Sequence, residues 1–398
     1  MLWERERHEA VLGGPWDEGV ARQGICDFAA DAERAFDPDA LWPAHPLDSD
    51  DDGSDDRDAG PRTSVYFGAS GVAWALDRLR RRGAIDSDRD WLAEARRFVD
   101  IYAAAPELGE RVPSLQLGEV GVRMVADADR DRIYELIESN IENQTLEALW
   151  GAPGTMVPAL LLFERTGEDR WRELYLRNAE FLLATLAYHD DFDVWMWTQN
   201  LYDEIVRLLG AGHGFAGNVF ALLRGAALLS EPQRALVTER AAHTLKVTAM
   251  RGGDLVNWAP HVGTPRRGRE AILVQWCHGA PGMITSLSRL PADPLTDALF
   301  AAGAETTWRA GPLAKGPGLC HGTAGNGYAF LAMHARTCDP VWLDRARRFA
   351  MHALAQTRES LRRYGRGRYS LWTGDAGVAV FLQDCIDGGG ELPGLAYL

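Results

Sequence analysis

No stretch of the 398-residue sequence holds eighteen consecutive apolar residues. A helix needs about twenty to cross the hydrocarbon core of a bilayer, so no membrane span is expected. Positive charge is also short: 42 Lys and Arg stand against 57 Asp and Glu, a net charge of -15. A nucleic-acid partner needs a basic surface to displace counterions from phosphate, so none is expected. Cysteines number five, Cys26, Cys277, Cys320, Cys338 and Cys385, an odd count at wide spacing. That excludes a dense disulfide framework and fits free or metal-bound thiols in a reducing compartment. The opening "MLWERERHEAVLGG" lacks an apolar core. No secretory signal is read there, and the expected setting is the cytoplasm. Strand-like alternation is scarce along the whole chain.

What is present is helical periodicity and a repeated phrase. Apolar residues recur at three- and four-residue spacing, with charges opposite, in "DRDWLAEARRFVDIYA", "EDRWRELYLRNAEFLLATLAY", "EPQRALVTERAAHTLKVTAM" and "DPVWLDRARRFAMHALAQ". Between such stretches Gly-x-x-Gly recurs, each time before an apolar run. It stands at Gly68/Gly71, Gly118/Gly121, Gly151/Gly154, Gly214/Gly217, Gly279/Gly282, Gly322/Gly325 and Gly374/Gly377. The runs that follow hold few charges, as helices buried all round should. Hydrophobic content of 46% supplies the core they need.

The expected fold is therefore all-α: an α/α toroid of seven inner and seven outer helices, formed by residues 1–398 as one domain. Its inner helix N-termini would ring one end, where dipoles and free N–H groups favour anions and thiolates. The stretch "LDSDDDGSDDRDAGPR", 47–62, reads as a solvated acidic loop rather than a calcium site, because the closing glutamate of such sites is missing.

Residues just before the glycine pairs would share that rim. In three successive units these are His213, then Cys277 and His278, then Cys320 and His321. Thiolate and imidazole together suit zinc, and two cysteines with one histidine leave a fourth position open, a pattern of catalytic sites. The spacing alone does not choose between His278 and His321. Cys26, Cys338, Cys385, His334 and His352 fall at helical positions and read as structural.

"GAGHGFAGN", "VQWCHGAPG" and "KGPGLCHGTAGN" resemble the motifs of the lanthionine synthetase C (LanC) family, and of its LanC-like branch above all. "MWTQNLYDEIVRLLGAGHGFAGN" is similar as well, and seven repeats match that family's toroid. The resemblance implies zinc held by Cys277, Cys320 and His321, with His213 as general acid/base and His278 outside the ligand set. It implies a role near the site for Lys315, and for Glu147 where lantibiotic cyclases carry aspartate. Those cyclases have an arginine four residues before the first zinc cysteine. Here that position is Leu273, which leaves Arg269 or Arg267 as the substitute.

The implied activity is Michael-type addition of a thiol to dehydroalanine or dehydrobutyrine. The thiol belongs either to the same peptide, giving lanthionine, or to a small molecule such as glutathione. The expected partner is a peptide or protein bearing a dehydroamino acid. Two rivals come from other classes. A zinc-stabilised peptide-binding scaffold would bind metal without turnover. A toroid glycoside hydrolase would use two carboxylates and no zinc, which the Cys-His-Gly repetition disfavours.

Overall fold

The computed structural model describes residues 2–12, 14–48, 60–263 and 270–394. The central part of the acidic stretch, 49–59, and both Arg267 and Arg269 lie outside the described residues. Fourteen α-helices alternate in two layers among the described residues. The outer seven are α1 (Glu18–Ala35), α3 (Trp91–Ala104), α5 (Arg130–Ser139), α7 (Asp169–Thr185), α9 (Glu231–Val247), α11 (Pro294–Ala310) and α13 (Pro340–Tyr364). The inner seven are α2 (Ala69–Arg81), α4 (Glu119–Ala126), α6 (Ala152–Thr166), α8 (Phe215–Arg224), α10 (Ala280–Leu287), α12 (Thr323–Thr337) and α14 (Asp375–Asp387).

Each inner helix contacts the next, and α14 contacts α2. That last contact closes the ring, so the chain is an α/α toroid and not an open stack. The inner helices are buried over long runs, from Ala69 to Asp77 in α2 and from Asp375 to Cys385 in α14. The outer helices bury one stripe, such as Trp91, Ala95, Phe98 and Tyr102 in α3, and leave the charged face in water.

Local chemistry explains where the outer helices begin. Asp17, Asp90, Asp293 and Asp339 each accept a hydrogen bond from a backbone N–H of the first turn. Pro294 and Pro340 stand in the first turn, where a missing N–H costs nothing. The long α13 stops at Gly365, in the left-handed conformation.

Three antiparallel hairpins interrupt the helices. Ala187–His189 pairs with Val194–Met196, and Gln199–Leu201 with Glu204–Val206, both between α7 and α8. Ala249–Gly252 pairs with Leu255–Trp258, between α9 and α10. No helix among the described residues is long and apolar enough to cross a membrane.

Candidate metal centre

Every inner helix has the first glycine of its pair as N-cap and the second within its first turn. The second glycine has a steric job. A Cβ at Gly282 would lie 1.9 Å from the Trp276 carbonyl oxygen, and one at Gly325 1.7 Å from that of Leu319. The loop before each of these helices is thus pressed onto the helix start. Its carbonyls take the helix's first N–H groups: Thr323, Ala324 and Gly325 donate to Gly316, Pro317 and Gly318. Phe215 and Ala216 likewise donate to Leu208 and Leu209. The expected ring of free N–H donors is therefore corrected. Close approach at glycine lets the loops cap the helices themselves.

The same folding-back fixes a belt of backbone hydrogen bonds around much of the rim. It joins the residues two places before successive cap glycines. Cys277 N–H donates to Cys320 O (3.1 Å), and Cys320 N–H to Trp372 O (3.0 Å). Trp372 N–H donates to Tyr66 O (3.3 Å), and Tyr66 N–H to Gln116 O (2.9 Å). Two cysteines far apart in sequence become neighbours because they occupy adjacent places in this belt.

Their thiols meet His321. One ligand atom from each of Cys277, Cys320 and His321 lies within 4.8 Å of the others. Cys277 and Cys320 are buried, at 5% and 3% exposure, while His321 is half-buried. Two sulfurs and one imidazole nitrogen around one point fit a zinc ion in donor type and number. The choice that spacing left open falls to His321. The ring of His278 lies instead nearly parallel to that of His213, centroids 6.0 Å apart. The Cys277 thiol is held well below the usual thiol range by hydrogen bonding with Cys320, against burial, with further help from His321 and the charge of His278.

Beside the cluster stands a second pair. His213 Nδ1 lies 3.0 Å from Glu147 Oε2. Glu147 is fully buried, and its carboxylate also accepts from the backbone N–H groups of Leu149 (3.1 Å) and Trp150. With these donors fixing Glu147, Nδ1 is the protonated nitrogen toward it and Nε2 is left to face a reactant. Burial disfavours the charged ring of His213. The hydrogen bond and charge of Glu147, with the Cys277 charge, outweigh it and raise the pKa above the usual value.

Lys315 is exposed and lines a small crevice with His321, Arg368, Trp372 and Thr373. Leu273 contributes only its carbonyl, which accepts from Asn257 Nδ2 at 3.0 Å.

Several positioning residues escaped the sequence reading. Gln275 Nε2 donates to Cys277 Sγ at 2.9 Å. Asn326, the Asn of "HGTAGN", reaches across to Val274 O (2.9 Å), and Asn218, the Asn of "HGFAGN", to Leu146 O (2.8 Å). Each ties one unit's helix to the preceding unit's loop. The repeated Gly-Asn was visible in the sequence, but its target belongs to another repeat. Gln199 Nε2 holds the His213 carbonyl at 2.7 Å, and Tyr202, 68% exposed, sets its ring 6.5 Å from that of His213. Cys26 and Cys338 are exposed, and Cys385 is buried away from the cluster. His352 accepts from Leu12 N–H and meets Glu9, anchoring the N-terminal segment.

Residues 125–393 match the family described as Lanthionine synthetase C-like protein. A zebrafish (Danio rerio) protein named Glutathione S-transferase LANCL1 is 34% identical over 195 residues, 48% of this chain and 44% of that protein. The LanC-like protein GCL1 of Arabidopsis thaliana is 34% identical over 188 residues, 45% of this chain and 41% of that protein. The matched stretch spans less than half the length of these relatives. Among solved structures, nisin cyclase superposes with a TM-score of 0.60 at 14% identity, over 94% of this chain and 100% of that one. That likeness is one of fold.

Proposed function

The chain belongs to the lanthionine synthetase C-like family, and from that premise we propose that it adds a thiol to a dehydroalanine or dehydrobutyrine residue in a zinc-dependent reaction. The observation that carries the reading is the convergence of Cys277, Cys320 and His321 beside the His213–Glu147 pair. Zinc held by those three residues would supply a Lewis acid that keeps an incoming thiol deprotonated at neutral pH.

The chain's own groups account for the rest. His213 takes up the thiol proton at Nε2, and Glu147 at Nδ1 steadies the resulting imidazolium. The thiolate sulfur bonds to Cβ of the dehydro residue, and the double-bond electron pair shifts to Cα and its carbonyl oxygen. His213 returns a proton to Cα, which restores both partners. The cationic side chain of Lys315, in the crevice it shares with His321, favours the developing negative oxygen. Arg269 remains a candidate for the same task. Tyr202 and Trp150, whose side chains are joined by a 3.2 Å hydrogen bond, form an aromatic lip beside His213 where a peptide can rest.

The thiol is either one within the same peptide or a free one. The relative named a glutathione S-transferase supports a small-thiol donor, and the fold shared with a nisin cyclase is compatible with ring closure. One experiment tests the reading. Purified chain of measured zinc content is mixed with a dehydroalanine peptide and glutathione, and the product is weighed by mass spectrometry. We expect a zinc-dependent mass gain equal to one glutathione. For a peptide carrying its own cysteine, loss of the free thiol at constant mass is expected instead. A zinc-loaded chain that turns over neither peptide supports the scaffold reading and overturns this one.

A further inference from the structure

The last inner helix ends at Asp387, at the end of the ring opposite the metal cluster. The chain then turns at Gly388, in the left-handed conformation, and runs back inside the toroid. Leu392 is 6% exposed and belongs to the core. Glu391 pairs with Arg289, just beyond the end of α10. The Gly394 carbonyl accepts from Gln116 Nε2, so by residue 394 the segment has come within reach of the rim.

Gln116 is one of the belt residues. Its Oε1 accepts from Trp372 Nε1 at 2.8 Å. Trp372 holds the loop of Cys320 by accepting from both Leu319 N–H (2.7 Å) and Cys320 N–H. Its ring packs on Trp276, the residue before Cys277, at a centroid distance of 4.8 Å. Trp276 also borders a cavity of about 200 Å³, shared with Phe220, Tyr328 and Leu392. Its ring is therefore not backed by solid core all round, and the contact with Trp372 carries more of its positioning.

We propose that the segment Gly388–Gly394 is an internal strut for the metal centre. Through Gln116 and Trp372 it sets the relative position of the Cys320 and Cys277 loops. The two thiols come from separate repeats, so a fraction of an ångström between loops decides whether three ligands fit one ion. Outer-shell partners of this kind commonly control metal affinity tenfold to a hundredfold. The inference rests on the zinc reading above.

The test compares zinc affinity, by competition with a chromogenic chelator, and the visible spectrum of the cobalt-substituted protein. Four variants are set against the full chain: one ending at Gly394, one ending at Gly388, Gln116→Leu, and Phe98→Ala in the outer helix α3. The chain ending at Gly394 should match the full chain. The chain ending at Gly388 and Gln116→Leu should each bind zinc roughly tenfold to a hundredfold more weakly, with altered cobalt bands. Gln116→Leu carries the test by itself if the shortened chain does not fold. Phe98→Ala should lower the melting temperature and leave zinc affinity and spectrum alone. Equal zinc affinity in the strut variants and the full chain overturns the strut. So does an equal weakening by Phe98→Ala, which would trace the effect to general stability. A full chain that takes up no zinc overturns the metal reading itself.

Discussion

Two places before the cap glycine, the rim carries Trp372, Tyr66 and Gln116 in one arc and Cys277 and Cys320 in the other. One place before it stand Thr373, Phe67 and Leu117 in the first arc, and His278 and His321 in the second. The backbone belt runs through both arcs, and the second glycine meets a loop carbonyl in both. In the first arc the rim side chains pack: Tyr66 stacks on Trp372 at 5.6 Å, and Trp372 bonds to Gln116. In the second, Cys277, Cys320 and His321 present sulfur and nitrogen to one point. The comparison separates scaffold from chemistry. The repeat fixes where a side chain arrives, and two adjacent positions per repeat decide what it brings. Between the arcs, Gly212 occupies the place of a cysteine. A Cβ there would sit 3.1 Å from Cys277 Cβ, so this rim position is small to admit its neighbour's thiol.

The largest effect should come from breaking the second arc. Cys277→Ala and Cys320→Ala are each expected to reduce bound zinc to background by elemental analysis. Cys338→Ala, at an exposed residue outside the cluster, should retain it. Full zinc in Cys320→Ala would mean that the three-ligand set is wrong.

Next comes His213, which follows Gly212 between the arcs, beside the second arc but not one of the three ligands. His213→Asn should keep zinc and helical circular dichroism and lose turnover by roughly two to four powers of ten. Unchanged turnover would reduce His213 to a structural residue, and lost zinc would make it a ligand.

The shared scaffold predicts equal damage in both arcs. Gly282→Ala and Gly377→Ala place a Cβ 1.9 and 2.2 Å from the carbonyl oxygens of Trp276 and Leu371. Each should cost about 1–3 kcal/mol by denaturant unfolding, because the obstacle is backbone that cannot swing aside. A cost confined to one arc would show that the loops differ in how they are held.

The most gradual effect, spread over several pH units, concerns Asp375, the first residue of α14 in the packing arc. Burial, against the Arg368 N–H and guanidinium and with added repulsion from Asp31, raises its pKa to about 7. A folded-state pKa above the unfolded one means that the folded chain binds the proton more tightly. Stability therefore falls as pH rises from about 4 to about 7, by at most about 1.4 kcal/mol per pH unit. Asp375→Asn keeps an acceptor for Arg368 N–H and should flatten that slope in melting curves between about pH 4 and 7. An unchanged slope would mean that Asp375 titrates normally.

The helices were legible because their signals are local. A 3.6-residue apolar stripe, an Asp cap or a Gly-x-x-Gly before an uncharged run needs no knowledge of distant residues. The three hairpins were not anticipated, since strands of three or four residues leave too short a pattern to detect. The candidate ligands could be found because repetition put Cys277 and Cys320 in one frame. Gln275, Asn326, Gln116 and Asn257 could not, because an amide whose partner is fixed only by the folded chain looks in sequence like any surface amide.

The sequence by itself determined the two helix types, their number and order, and which side chains reach the rim, because each follows from short-range pattern and backbone freedom at glycine. Periodicity and spacing left open what the tertiary structure decided: that the ring closes, with α14 against α2, and that His321, the residue the resemblance implies, joins the thiols rather than His278. It also decided that Glu147 stands behind His213, and that the segment after Asp387 returns inside the toroid to meet Gln116. These are contacts between residues tens to hundreds of positions apart. They exist only once curvature has accumulated over seven repeats, and no local pattern encodes that sum.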